Sequence, residues 1–139
     1  MSRVQLALNV SDLGAAIEFY SKLFATQPAK IRPGYANFAI EDPPLKLVLF
    51  EGAGEPGTIN HLGVEVASTD DVRAAQARLA SQELETTTED EVSCCFAVQD
   101  KVWVDGPDGR PWEIYTVLAD APGTDQCCST APRSAAACS

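Results

Sequence analysis

The sequence is short of basic residues and of histidine. Lys and Arg number 10 against 20 Asp and Glu, which gives a formal net charge of −10. A protein that holds a nucleic-acid backbone needs clustered Lys and Arg, so nucleic acid is not an expected partner. No apolar run approaches the roughly 18 residues of a membrane span, so no membrane partner is expected either.

The cysteines also lack the spacing of a zinc finger. None of the five forms a repeated Cys-x2-Cys pattern, and the chain has a single histidine to add to them. Because five is odd, a complete set of intrachain disulfides is impossible, and free thiols in a reducing compartment are the plain expectation. The N-terminus lacks the apolar core and cleavage site of a secretory signal, so the expected location is cytoplasmic.

The chain contains two similar halves joined by residues 52–58. Each half begins with an apolar strand, "VQLALNV" or "NHLGVEV", and continues with an amphipathic helix and further short strands. Ser11 or Asp12 offers an N-cap for the first helix. The apolar positions that recur at helical spacing are Leu13, Ile17, Tyr20 and Phe24 in the first helix and Val72, Ala75 and Leu79 in the second.

The repeated order β-α-β-β-β predicts one α+β domain over residues 1–120. Two βαβββ modules, about 3–51 and 58–119, are expected to form a curved mixed sheet around a cleft. Strands are expected near "ETTT", "SCCFAV", "KVWVD" and "WEIYTVL", with the acidic stretch "TTTEDEVS" favouring a mobile exposed loop. Residues 121–139 have the composition of a disordered tail, and no role is assigned to their three cysteines.

A candidate metal site follows from the repeat. Aligning the two opening strands places Gln5 against His61, so both side chains are expected to face the shared cleft. Glu113 lies in the last strand between apolar neighbours, where a carboxylate is costly to bury unless it is paired or bound to a metal. These three residues offer an amide oxygen, an imidazole nitrogen and a carboxylate, which suit Fe(II), Mn(II), Ni(II) or Zn(II) with open coordination positions.

Structural roles remain open for these residues. A lone histidine in a strand is more often packed or solvent-facing than a ligand, and Glu113 is also compatible with an edge strand or a salt bridge. The same repeat aligns Lys46 with Glu113, so Lys46 occupies the place of a fourth metal ligand. A lysine does not ordinarily bind a metal there. Glu51 lies close enough in sequence to occupy that position instead. Tyr115 shares the face of Glu113, where core packing is the preferred interpretation.

With these residues in place, the chain resembles the vicinal oxygen chelate superfamily of glyoxalases, bleomycin-resistance proteins and dioxygenases. Within it, the chain is most similar to the ArsI-type carbon–arsenic lyases and the related cadmium-induced CadI proteins. The resemblance covers nearly all of residues 4–120. The motifs that carry it are "VQLALNVSDL", "FYSKLF", "RPGYANFAIEDPPLKLVLFE", "NHLGVEV" and "TEDEVSCCFAVQDKVWVDGPDGRPWEIYTVL".

The resemblance implies a non-haem Fe(II)-dependent dioxygenase that uses O2 to cleave the C–As bond of trivalent organoarsenicals. Methylarsenite and reduced aromatic arsenicals are the implied substrates, and arsenite is the product. It assigns metal binding to Gln5, His61 and Glu113, and capture of substrate arsenic to the adjacent Cys94 and Cys95. Thiolate sulfur suits soft trivalent arsenic, and two thiolates hold it better than one. A homodimer is left open.

Three alternative functions remain, and the third, bleomycin-type drug binding, leaves the adjacent thiols unexplained. A non-catalytic thiol protein that sequesters cadmium or arsenic needs the cysteines and no open iron site. A glyoxalase-like metalloenzyme uses a similar ligand set, normally with a second glutamate. On spacing alone, Cys94 and Cys95 are equally compatible with two small buried side chains in a strand.

Overall fold

The computed structural model describes residues 2–94 and 97–120. The predicted disordered tail lies outside the described residues. The helices are α1 (Leu13–Phe24) and α2 (Thr69–Ser81). The strands are β1 (Arg3–Val10), β2 (Lys30–Arg32), β3 (Tyr35–Ile40), β4 (Leu45–Glu51), β5 (Ile59–Glu65), β6 (Thr87–Cys94), β7 (Ala97–Asp105) and β8 (Pro111–Asp120).

All of these strands join one mixed sheet in the order β2-β3-β4-β1-β5-β8-β7-β6. At its centre β1 runs antiparallel to β5, and each of the two pairs in parallel with the last strand of its own module, β4 or β8. The two modules therefore meet along β1 and β5. The predicted α+β fold, with two βαβββ modules forming a curved mixed sheet, is confirmed.

The two helices cover the sheet through the apolar positions that the periodicity predicted. Asp12, rather than Ser11, caps α1 by accepting a hydrogen bond from Ala15 N. The predicted stripe of α1 packs against a buried cluster of Phe38, Ile40, Leu47 and Leu49. The three predicted positions of α2 are buried. Neither helix is long and apolar enough to cross a membrane, and the described residues contain no other helix.

Successive side chains of each strand point to opposite faces, which separates an apolar face from a polar one. In β1, Leu6 and Leu8 pack against the cluster under α1, whereas Gln5 and Ala7 are fully buried on the other face. That second face is called the cleft face below. Its fully buried polar side chains include Gln5, His61, Gln99, Lys101 and Glu113.

Two details of the second module differ from the prediction. The acidic stretch expected to be a mobile loop forms β6, an edge strand paired with β7. The prediction of separate strands near "SCCFAV" and "KVWVD" is also wrong, because residues Ala97–Asp105 form one continuous strand. Pairing with β7 satisfies backbone groups of the edge strand while Asp90 and Glu91 remain exposed to solvent.

Asp100 ties this edge of the sheet to α2. Its carboxylate accepts hydrogen bonds from Thr69 Oγ1 at 2.6 Å and from Glu91 N at 2.7 Å. Glu91 has a φ of 49° and lies at the bulge of β6. The hydrogen bond from its backbone N to Asp100 therefore stabilises the bulge. The Thr69 bond, followed by the Glu91 bond, lowers the pKa of Asp100 below its usual 3.8.

We expect Asp100→Asn to lower the free energy of unfolding by about 1–3 kcal/mol at neutral pH, because an amide leaves one of the two donors unpaired. Denaturant unfolding measures the difference, and the exposed exchange Asp108→Asn is the control. The lowered pKa stabilises the ionised form, so this contribution is complete above pH 3.8 and is lost as the pH falls through the folded-state value. A difference from wild type that persists in strong acid would contradict this cause.

Candidate metal centre

The three predicted ligands meet on the cleft face at the centre of the sheet. Gln5, His61 and Glu113 are all fully buried. Gln5 Nε2 lies 3.1 Å from His61 Nε2 and 2.5 Å from Glu113 Oε2, and those two acceptor atoms are 2.9 Å apart. Two ligands that bind one metal at right angles through bonds of roughly 2.1 Å stand about 3 Å apart, so these separations suit a small cation.

Gly63 allows these side chains to approach so closely. It lies in β5 opposite Gln5 of β1 and opposite Glu113 of β8. A Cβ at this position would lie 2.8 Å from both Cγ and the backbone oxygen of Glu113, and 3.2 Å from Gln5 Nε2. A glycine inside a strand often marks such a close approach, so "NHLGVEV" contained a signal that the sequence interpretation missed.

Lys101 is the second residue that the sequence interpretation missed. Its Nζ lies 2.8 Å from Glu113 Oε1, and both side chains are fully buried. Burial by itself would raise the pKa of Glu113, but the Lys101 ammonium, followed by the His61 ring, outweighs it and holds the pKa at about 2. Glu113 is therefore ionised at neutral pH, with Oε1 paired and Oε2 facing Gln5 and His61.

The partners of His61 and Gln5 decide which atoms offer electron pairs. His61 Nδ1 lies 2.8 Å from Asn60 Oδ1, an acceptor, so Nδ1 carries a proton, and whenever the ring is neutral Nε2 carries the lone pair. That lone pair and Glu113 Oε2 face each other, bridged by the Gln5 amide nitrogen. Gln5 Oε1 accepts a hydrogen bond from the Tyr115 hydroxyl at 2.7 Å.

This donor set fits a divalent cation. Two electron-pair donors held at 2.9 Å repel each other unless a positively charged or hydrogen-bearing group lies between them. Rotation of the Gln5 side-chain amide would turn its oxygen toward them as a third donor. The Tyr115 hydroxyl suits either orientation, because a hydroxyl both donates and accepts. Within residues 2–94 and 97–120 no group of three His, Cys, Asp or Glu converges, so the amide is needed for a third ligand.

The residues considered for a fourth position do not complete a ligand set. Lys46 lies buried on the cleft face, with Nζ 3.7 Å from a carboxylate oxygen of Glu65. Burial lowers the pKa of Lys46. Glu51 is exposed, and its carboxylate accepts a hydrogen bond from Leu13 N at 2.9 Å at the start of α1. Its carboxylate is therefore engaged with α1 rather than with the three predicted ligands.

Only one of the two predicted arsenic-binding cysteines lies among the described residues. Cys94 is the last residue of β6 and pairs with Ala97 of β7, whereas Cys95 lies outside the described residues. Ala97 lines a cavity of about 190 Å³ that also touches Lys46, Gln99 and Tyr115. Tyr115, which lines this cavity, also donates a hydrogen bond to Gln5, one of the three predicted ligands.

Two relatives match most of the chain. The cadmium-induced protein CadI of Mycobacterium tuberculosis is 66% identical over 121 residues, which cover 87% of this chain and 80% of the relative. A trivalent organoarsenical cleaving enzyme of Thermomonospora curvata is 64% identical over 122 residues, which cover 87% of this chain and 81% of the relative. The resemblance predicted from the motifs is confirmed.

Solved structures of lower identity share the fold. Homoprotocatechuate 2,3-dioxygenase of Arthrobacter globiformis matches with a TM-score of 0.61 and 21% identity, over 88% of this chain and 38% of that one. The Mn(II)-bound glyoxalase of Novosphingobium aromaticivorans matches with a TM-score of 0.59 and 19% identity, over 90% and 43%. A sequence model of one family covers residues 3–114. The chain therefore belongs to the Glyoxalase/Bleomycin resistance protein/Dioxygenase superfamily, also called the vicinal oxygen chelate superfamily.

Proposed function

We propose that this chain is an Fe(II)-dependent dioxygenase that cleaves the C–As bond of trivalent organoarsenicals and releases arsenite. The observation that carries the proposal is the convergence of Gln5, His61 and Glu113 at 2.5–3.1 Å on the buried cleft face. One imidazole, one carboxylate and one amide oxygen leave coordination positions open on an iron ion. The 64% identical relative, which is named as an organoarsenical cleaving enzyme, supports the substrate class.

Gln5, His61 and Glu113 would hold the iron, which supplies binding and reduction of O2 when it is bound. Lys101 keeps Glu113 ionised and engages Oε1, so Oε2 is the oxygen that remains for the metal. The rings of Phe50 and Trp103 lie against His61, with centroid distances of 6.3 and 5.6 Å. These apolar walls restrict water around the ligands, which strengthens the electrostatic interactions inside the cleft.

We assign capture of the arsenical to Cys94 and Cys95. A trivalent organoarsenical carries two exchangeable hydroxyl groups on arsenic, and two thiols replace them with two As–S bonds while two water molecules leave. The second bond forms within an already bound molecule, so the pair holds arsenic more tightly than one thiol. Cys94 pairs with Ala97 in the sheet, and Ala97 lines the same cavity as Tyr115.

With methylarsenite, the proposed reaction balances with O2 as the sole oxidant. Methylarsenite, CH3As(OH)2, and one O2 contain the atoms of one arsenite, As(OH)3, and one formaldehyde. The C–As bond breaks, carbon gains a C=O bond and arsenic gains a hydroxyl group. The methyl carbon supplies the four electrons that reduce O2, and arsenic stays trivalent. No additional reductant is needed.

Anaerobically purified protein loaded with Fe(II) is expected to release arsenite from methylarsenite only after O2 is admitted, with one formaldehyde per arsenite. Arsenic speciation and a formaldehyde assay measure both products. Cys95→Ser should weaken methylarsenite binding by about 100-fold while the iron content stays unchanged. Cys127→Ser, the same exchange in the tail, is the control. Release of arsenite without O2, or no release with it, would refute the dioxygenase reaction.

Sequestration of arsenic or cadmium by the cysteines is the second candidate function. The 66% identical relative named as a cadmium-induced protein favours it. Stoichiometric binding of methylarsenite without arsenite release would support sequestration over cleavage. A glyoxalase-like reaction has less support, because Glu51, the candidate second glutamate, bonds to the backbone at the start of α1.

A further inference from the structure

His61 is connected to the loop between the two modules by a chain of hydrogen bonds. The Thr58 hydroxyl donates to the backbone oxygen of Glu55 at 2.6 Å. Thr58 Oγ1 in turn accepts from Asn9 Nδ2 at 2.9 Å. Asn9 Oδ1 accepts from Asn60 Nδ2 at 3.0 Å, and Asn60 Oδ1 lies 2.8 Å from His61 Nδ1. The chain thus runs from a surface loop to the candidate metal centre.

The first acceptor sets the direction of every bond in this chain. A backbone carbonyl has no proton to give, so the proton of the Thr58 hydroxyl is committed to Glu55. Each amide then presents its nitrogen to the preceding acceptor and its oxygen to the next group. Nδ1 of His61 consequently carries a proton, and in the neutral ring Nε2 holds the lone pair. Nε2 is the atom that faces Gln5 and Glu113.

Burial and close packing keep the two amides in place. Asn9 and Asn60 are 6% and 9% exposed, so a reversed amide would leave buried polar groups facing partners of the wrong kind. The loop also closes on Asn9: a Cβ at Gly54 would lie 2.7 Å from Asn9 Nδ2. The backbone of Asn9 donates to Thr58 O and accepts from Gly57 N, both at 2.9 Å. The loop of residues 52–58 therefore also contacts Asn9 and helps to hold its side chain in place.

We propose that Glu55, Thr58, Asn9 and Asn60 act as a relay of positioning residues that fixes the Nδ1–H tautomer of His61. The relay presents the Nε2 lone pair to the metal. This inference rests on the proposed function only for the identity of the metal centre, because the tautomer is a property of the metal-free chain. Partners on the second ring nitrogen typically change metal affinity by about 10–100-fold when they are removed.

His61 is the only histidine in the chain, so its ring nitrogens can be observed by NMR without ambiguity. At alkaline pH the metal-free protein should show the Nδ1–H tautomer. Thr58→Val removes the hydroxyl and frees the amides to reorient, which should populate the Nε2–H tautomer and weaken Fe(II) binding by about tenfold in anaerobic chelator competition. Thr58→Ser should restore both. Thr26→Val removes a hydroxyl that donates to Phe24 O and should change neither.

Three results would overturn the relay. They are an Nε2–H tautomer in the metal-free wild type, an unchanged tautomer in Thr58→Val, and equal effects of Thr58→Val and Thr58→Ser, which would give Thr58 a packing role. A tautomer that shifts as expected in a protein that binds no divalent metal would support the relay and reject the proposed metal centre. The two proposals therefore fail in different measurements.

Discussion

Replacing Glu113 with glutamine is expected to weaken Fe(II) binding by more than about 100-fold and to abolish arsenite release, while arsenic capture at the cysteines persists. The substitution exchanges the carboxylate of the predicted ligands for a neutral amide. It also leaves the buried Lys101 ammonium without its partner, 2.8 Å away. Breaking a buried ion pair from one side costs about 3–5 kcal/mol of unfolding free energy. Iron content, arsenite release, methylarsenite binding and denaturant unfolding measure the four outcomes.

The double variant Glu113→Gln with Lys101→Met separates ligand loss from instability. Removal of the stranded ammonium should restore most of the lost unfolding free energy, whereas iron affinity should stay low. Glu18→Gln removes the same charge from an exposed pair on α1 and should alter neither property. Full iron content in the single variant would remove Glu113 from the ligand set.

The metal-free wild type should also show an acid pH dependence that Glu113→Gln lacks. The pKa of Glu113 is about 2 in the folded chain, below its ordinary value of 4.5. The stability contributed by its ionised form is complete above pH 4.5 and is lost as the pH falls through about 2. The difference corresponds to about 3 kcal/mol. Parallel stability curves for the two proteins in acid would contradict this assignment.

Gly63→Ala is expected to separate the predicted ligands without changing any of them. The added Cβ would lie 2.8 Å from the backbone oxygen and Cγ of Glu113. The backbone is held by the β5–β8 pairing and the side chain by Lys101, so neither can move away easily. Overpacking of this kind costs about 1–3 kcal/mol, and a displacement of roughly 1 Å lowers activity by about 100-fold. Thermal unfolding and the rate of arsenite release measure the two effects, and Fe(II) affinity reports whether the three ligands still meet.

Gly14→Ala is the matched control for this prediction. Gly14 lies in α1, where a new Cβ would meet its nearest neighbour, Asp12 Oδ1, at 3.5 Å. Alanine in a helix is favoured over glycine, so this variant should gain about 0.5–1 kcal/mol. The same exchange should therefore have opposite effects at the two positions. Wild-type Fe(II) affinity in Gly63→Ala would show that the close approach is not required.

Periodic patterns were sufficient for the helices and most strands. The stripe that begins at Leu13 and the one that begins at Val72 both pack as predicted, because helical spacing places such residues on one face wherever the helix lies. The repeat also predicted that Gln5 and His61 share a face. The interpretation of composition failed at β6, because an acidic stretch was expected to form a loop and instead pairs with β7 as a strand.

The sequence by itself determined the superfamily, the two-module order and the face on which Gln5, His61 and Glu113 lie, because motifs and side-chain alternation are local properties of the chain. Only the tertiary structure decided that Lys101 pairs with Glu113 and that Asn9 of the first module connects Thr58 to Asn60. Sheet order and strand register create these contacts, and they join residues as far apart as Gln5 and Glu113, 108 positions along the chain. No local pattern encodes a contact at that separation.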